Sequence, residues 1–429
     1  MRTDGKVHTL PLADGFRLHV IPTRRFKTLT LRLVLHLPLD RRATAVALLE
    51  SILHRGCRGY PTMKIINRFL ESLYGAAFST DVSKIGDLQS IGFGVRVLND
   101  RFAPRRARSL ELGLDFLSRV FSAPVLERGS LRRDYFDQER ENLRRFLEGI
   151  INDRPGYAML RAVEAMCPNE PHGLHEHGRL EDLAGLDPAG ITRLHEELVS
   201  TATIDLFVVG DVSPEPIRRA ARRIFKRALR RGSVAQLPDP VRPEAPPRPR
   251  EVVGELDVEQ ARLIMGWRSG VAWPDDDYPA YLMANGVFGG FPHSRLFRIV
   301  REEQGLAYQA ASYVESTKGL MIAALGIDAP AFPKARDLVI RQWESIQKGK
   351  IGKDEFEKTR NVFMHHLRSR GDSPGSMIHE HLEGILNRRA RPPEELMREL
   401  EKITPDQASA AARKGKLDTI YLLRSPPKS

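Results

Sequence analysis

Leu29-Thr30-Leu31-Arg32-Leu33-Val34-Leu35-His36 mixes apolar and polar positions at the short period of a strand. After Pro38-Leu39-Asp40 the spacing becomes helical from Ala43 to His54 and stops at Gly56. The same order recurs later: Ala261 to Trp267 predicts a strand, and Tyr278 to Val287 a helix ending in Gly289-Gly290. In each half a second helix then runs into a glycine and a further strand, Arg68 to Tyr74 before Gly75 and Arg295 to Gln304 before Gly305. Glycine suits the left-handed backbone position just past a helix end. Each half closes on an apolar strand, Ile204 to Gly210 and Thr419 to Leu423.

Between the halves, Ala235 to Arg250 contains Pro238, Pro240, Pro243, Pro246, Pro247 and Pro249, a run that continues neither a helix nor a central strand. These patterns predict an α+β protein of two similar domains, 1–232 and 253–429, joined by a Pro-rich linker over 233–252. The length of 429 residues, with 41% hydrophobic and 28% charged, excludes a lone peptide module and wholesale disorder.

Charge adds a second constraint. There are 52 Arg and 15 Lys against 55 acidic residues, a net +12 spread along the whole chain. The run Arg218 to Arg231 could grip phosphates, but Ile224, Phe225 and Leu229 interleave it as on an amphipathic helix with a solvated charged face. Nucleic acid is therefore not the expected partner. Two cysteines, Cys57 and Cys167, cannot build a four-thiolate site or a dense disulfide framework, which predicts a reducing cytoplasm. Met1 to His19 lacks the continuous apolar core of a signal peptide, and no apolar run approaches the ~18 residues of a membrane helix.

The layout of strand, helix, glycine and second helix entering a strand resembles the insulinase/pitrilysin family of inverted-motif zinc peptidases, whose chains carry duplicated α+β domains. Gly289 to Tyr308 is similar to that family's second-half signature. Its Phe291-Pro292-His293-Ser294 resembles a bacterial branch linked by name to elongation factor P modification. Active members carry H-x-x-E-H on the first-half helix, where two histidines one turn apart ligate zinc and the Glu is the general base. Here that register puts Ala47 and Ser51 at the histidines and leaves Glu50 at the base. The family's third ligand lies seven residues after another Glu; counting from Glu139-Arg140 reaches Phe146, with Glu148 the nearest carboxylate. The resemblance thus implies no metal on this chain.

What the resemblance does preserve is the pair Arg301 and Tyr308, seven apart across Gly305. In the family these donors hold the substrate carbonyl opposite the zinc, and a guanidinium and a phenol can both hydrogen-bond an oxyanion. In relatives of this length two chains pair so that the second domain of one serves the first domain of the other. The expectation is a subunit of a heterodimeric metallopeptidase that acts on peptides, with zinc on an H-x-x-E-H partner; the alternative is a peptide-binding scaffold. The strand Phe78 to Val82 is the candidate edge for an extended peptide. His175-Glu176-His177, flanked by Pro171 and Gly173, reads as a solvated loop in preference to a metal site. His379 and Glu383 share a helical face but show no third ligand.

Overall fold

The computed structural model describes residues 6–104 and 107–427. The chain divides into two compact units, residues up to Gly149 with Leu174–Asp239, and Ile150–Gly173 with residues from Pro240 onward.

The first unit contains β1 (His8–Ala13), β2 (Phe16–Pro22), β3 (Thr28–Pro38), α1 (Ala43–Arg55), α2 (Met63–Ser72), β4 (Ala77–Ile85) and β5 (Leu88–Leu98). There follow α3 (Ser109–Ser122), a small hairpin of β6 (Leu126–Glu127) and β7 (Ser130–Leu131), and α4 (Arg133–Gly149). The chain then contributes α5 (Arg154–Met166) to the second unit and returns with α6 (Pro188–Thr201), β8 (Thr203–Gly210) and α7 (Pro214–Ile224). Its sheet runs β1-β2-β8-β3-β5-β4, with only β2 and β8 parallel. Leu29, Leu31, Leu33, Leu35 and Leu37 all lie on the helix-covered face, in one core with Val46, Leu49 and Leu53 of α1. Each such burial is worth ~1.5–3 kcal/mol, which ties β3 and α1 to each other.

The second unit adds β9 (Arg250–Glu255), β10 (Ala261–Arg268), α8 (Tyr278–Asn285), β11 (Gln309–Glu315) and β12 (Leu320–Ile327). Helices α9 (Phe332–Gln347), α10 (Lys353–Ser369), α11 (Pro374–Leu386), α12 (Pro393–Lys402) and α13 (Pro405–Ala412) precede the closing strand β13 (Lys416–Arg424). Its sheet runs β11-β12-β10-β13-β9. From their open edges the two sheets read alike: β4-β5-β3-β8-β2 matches β11-β12-β10-β13-β9, and the last pair is parallel in both. The predicted repeat is therefore present strand for strand, with β1 added to the first unit alone.

The units differ from the expected 1–232 and 253–429 in two places: Ile150–Gly173 groups with the second unit, and the division inside the proline-rich stretch falls between Asp239 and Pro240. On α5, Ala158, Ala162 and Val163 share a core with Ile264, Ile322, Tyr421 and Leu423, the strand face away from the main core of the second unit. That apolar contact places Ile150–Gly173 with the second unit. The proline-rich stretch carries no regular element from Gly232 until β9 begins at Arg250 and pairs with β13. The basic run is helical only to Ile224, and Ile217, Ala221, Phe225 and Ala228 are its buried side.

Each unit also buries an aspartate on its closing strand. Asp205 of β8 accepts from Arg17 and His19 of β2, and His36 Nε2 of β3 lies 3.2 Å away. Asp418 of β13 accepts from Arg250 of β9 and Arg268 of β10. Buried carboxylates persist only where such partners compensate their lost hydration. No described helix is long and apolar enough to cross a membrane.

Candidate functional site

Helix α1 turns Ala47 and Glu50 inward. Ala47 is 1% exposed and sits in the apolar core of the first unit, and Glu50 is 7% exposed. A methyl group offers no ligand at Ala47, and the single Ser51 hydroxyl proton is shared between the Ala47 carbonyl oxygen (3.2 Å) and Glu50 Oε2 (3.1 Å). Burial raises the Glu50 carboxyl above its ordinary value; Asp81 and Glu139 push the same way, while hydrogen bonds from Thr80 and Ser51 pull it down. Thr80 Oγ1 also lies 3.1 Å from His54 Nδ1, and the His54 ring stacks on Phe78 at 5.1 Å. Thr80 has one proton, so the chain of bonds closes when His54 donates to Thr80 and Thr80 donates to Glu50. Burial lowers His54, which keeps the imidazole neutral for that arrangement.

Helix α4 supplies the other wall. Glu139, 8% exposed, pairs with Arg55 Nη1 at 3.2 Å and accepts from Asn142 at 3.0 Å. Phe146, at the third-ligand position of the resemblance, is 48% exposed, and its ring centre lies 4.7 Å from that of His177. Glu148 is taken by Arg144 at 2.6 Å. Ala47 and Phe146 carry no ligand atom, Ser51 has only a hydroxyl already engaged, and Glu50 accepts from the hydroxyls of Ser51 and Thr80. The residues present do not fit the family's zinc.

The segment expected as a solvated loop is half-buried instead. His175, Glu176 and His177 are all partly covered, and one ligand atom from each lies within 4.8 Å of the others. Burial pushes His177 down to about 4, with His175 adding to the shift. This is the one such cluster among the described residues. His379 and Glu383 belong to no cluster; Glu383 accepts from Ser316 Oγ at 2.7 Å.

In the second unit, residues Leu296–Glu303 form a wide π-type helix whose exit is Gly305 at φ +59°. Arg301 extends over the Phe297 ring, 4.3 Å from its centre. Tyr308 precedes β11 by one residue, its N–H bonded to the Gly326 carbonyl, and its side chain is 53% exposed. The phenol lies 3.3 Å from both carboxylate oxygens of Asp328, giving its proton to one of them. Both side chains thus stand near the start of an edge strand. The predicted peptide edge Phe78 to Val82 lies in β4, which is likewise the outermost strand of its sheet.

Sequence reading passed over the buried aspartates. A single charge inside Ile204-Asp205-Leu206 and inside Leu417-Asp418-Thr419 was the available signal. Their closed ion pairs make them structural.

The family described as "Peptidase M16 inactive domain" matches residues 186–363. A Bacillus subtilis (strain 168) protein named "Probable inactive metalloprotease YmfF" is 30% identical over 411 residues, covering 96% of this chain and 96% of its own length. The crystal structure of a conserved protein from Enterococcus faecalis V583 is similar with a TM-score of 0.91 at 26% identity, over 99% of both chains. That of the peptidase M16 inactive domain from Pseudomonas fluorescens gives 0.80 at 19% identity over 98% of both, a likeness of fold.

Proposed function

The chain belongs to the M16 (pitrilysin) family of peptidases, and on that premise we propose that it is the subunit without catalytic zinc in a two-chain peptidase. Its partner is a similar-length chain with an intact H-x-x-E-H, and the substrate is a peptide or unfolded polypeptide. Arg301 and Tyr308 bind the substrate carbonyl at the partner's site. When water attacks that carbonyl its oxygen gains negative charge, and donors already aimed at it lower the barrier without reorganising. Tyr308 exchanges its long bond to Asp328 for one to the oxyanion, and Arg301 swings its guanidinium away from Phe297.

One asymmetry carries the proposal: α1 holds Ala47 and Ser51 where ligands would be, while the helix-glycine-strand turn with Arg301 and the exposed Tyr308 is complete. The Phe291–Ser294 wording supports the bacterial branch linked by name to elongation factor P modification. Co-purification with an H-x-x-E-H partner followed by a peptide-cleavage assay tests it. Arg301→Ala is expected to lower kcat by about 10²–10³, the usual cost of one oxyanion donor. Unchanged turnover refutes the clamp.

The open edges of β4 and β11 favour a second reading, a scaffold that holds extended peptides by strand addition. Peptide binding without cleavage in every pairing would select it.

A further inference from the structure

We infer that the turn His175-Glu176-His177 is a binding site for a divalent transition cation, with zinc as the natural fit. The site is separate from the degenerate motif on α1 and independent of the catalytic proposal above. One imidazole nitrogen from each histidine and one carboxylate oxygen already lie within 4.8 Å of one another, so a single ion can reach all three with small side-chain rotations. Two imidazoles and a carboxylate are a recurrent zinc donor set and leave a coordination position open for water or a carbonyl.

The turn is built and held. Gly178 N–H bonds the His175 carbonyl at 2.9 Å, and Gly178 has φ +77°. A Cβ there would fall 1.9 Å from Thr44 Oγ1, so only glycine lets the turn seat against the start of α1. Three side chains pin it: Gln89 Nε2 donates to the Glu176 carbonyl at 2.5 Å, Lys84 Nζ to the Leu174 carbonyl at 2.9 Å, and Thr44 Oγ1 accepts from Arg179 N–H at 3.0 Å. The backbone that carries the three donors is thus already ordered, and only their side chains need to turn when they ligate.

An independent observation points to a ligand. His177 Nδ1 is sealed from solvent and has no hydrogen-bond partner, a condition that buried ring nitrogens rarely tolerate. Phe146 covers one side of the His177 ring. Loading has a cost in the same turn: His175 Nδ1 accepts from His177 N–H at 3.0 Å, and that bond is given up if Nδ1 ligates or takes the proton so that Nε2 can ligate.

The test uses the full chain, stripped with chelator, mixed with equimolar zinc and passed through gel filtration before metal analysis. One retained equivalent is expected, falling at least tenfold in His177→Gln and in His175→Gln but remaining in Glu50→Gln and His54→Gln. Zinc X-ray absorption on the unaltered chain supplies a reading that does not depend on the variants folding, with two imidazoles per zinc expected. No retained zinc, retention indifferent to both histidine variants, loss in Glu50→Gln, or fewer than two imidazoles overturns the inference. The peptidase proposal is tested by turnover with a partner; it survives loss of the turn site, and only zinc held through Glu50 would count against both.

Discussion

Glu50→Gln is expected to make the protein more stable at pH 8 and to leave it unchanged near pH 4. The carboxyl is 7% exposed, and its neighbours include Asp81, Glu139 and the hydroxyls of Ser51 and Thr80. Burial raises its folded value above the unfolded carboxyl near ~4.3. The native state therefore keeps the proton to higher pH than the unfolded chain does. Between the two values the folded protein binds more protons, so stability falls as pH rises through that window and stays lower above it. Each unit of separation is worth about 1.4 kcal/mol. Glutamine keeps the shape, and both hydroxyls can rotate to serve an amide, so the fall is removed at the cost of no new orphan group. The gain above the window is about 1–3 kcal/mol, the range for an incompletely compensated buried polar group. For a unit of this size that corresponds to ~2–4 °C in Tm per kcal/mol. Urea denaturation of both proteins at pH 4, 6 and 8 measures it. A difference that does not change with pH, or a variant less stable at pH 8, refutes the account of Glu50 as a stranded base. In a partnered peptidase assay the same substitution is expected to leave turnover unaltered, because Glu50 serves no water here.

Two other titrations carry opposite signs. Burial, with Glu394 and Glu383 adding and Arg370 opposing, pushes Glu380 up to about 7. Stability should fall from about pH 4.5 to pH 7, and Glu380→Gln should recover about 2 kcal/mol at pH 8, less than the full shift converts to because the side chain is part-exposed; overlapping urea curves at pH 8 would count against this. For Asp205, burial raises the carboxyl, but hydrogen bonds from His19 and His36 outweigh it and hold it well below the usual range. Its contribution is present above the unfolded value near ~3.9 and lost as pH falls through the depressed folded value. Asp205→Asn should cost about 3–5 kcal/mol at pH 7, since it takes the counter-charge from Arg17 and leaves one amide oxygen to accept where two carboxylate oxygens did; a smaller loss by thermal or urea melts would show that the amide and water replace the carboxylate.

Local pattern in the chain was enough to reveal its duplicated architecture. The first strand and helix of each half, the closing strands, and the glycines at 75 and 305 were legible, as was the lack of imidazoles at Ala47 and Ser51, because each depends on residues close in sequence. Periodicity dictates a buried face, a positive φ at Gly75 and Gly305 ends a helix, and a methyl or hydroxyl has no imidazole nitrogen wherever it sits. Three matters belonged to tertiary structure alone. Helix α5 joined the later unit because its small apolar face matches Ile264, Ile322 and Tyr421, residues more than a hundred positions away. Asp205 and Asp418 became tolerable only when basic groups from neighbouring strands closed around them. His175-Glu176-His177 reads in one dimension as a wet loop; Thr44, Lys84 and Gln89 fold it into a pinned, half-buried turn. Spacing along a chain states which donors exist, and only packing decides whether they converge and whether water can reach them.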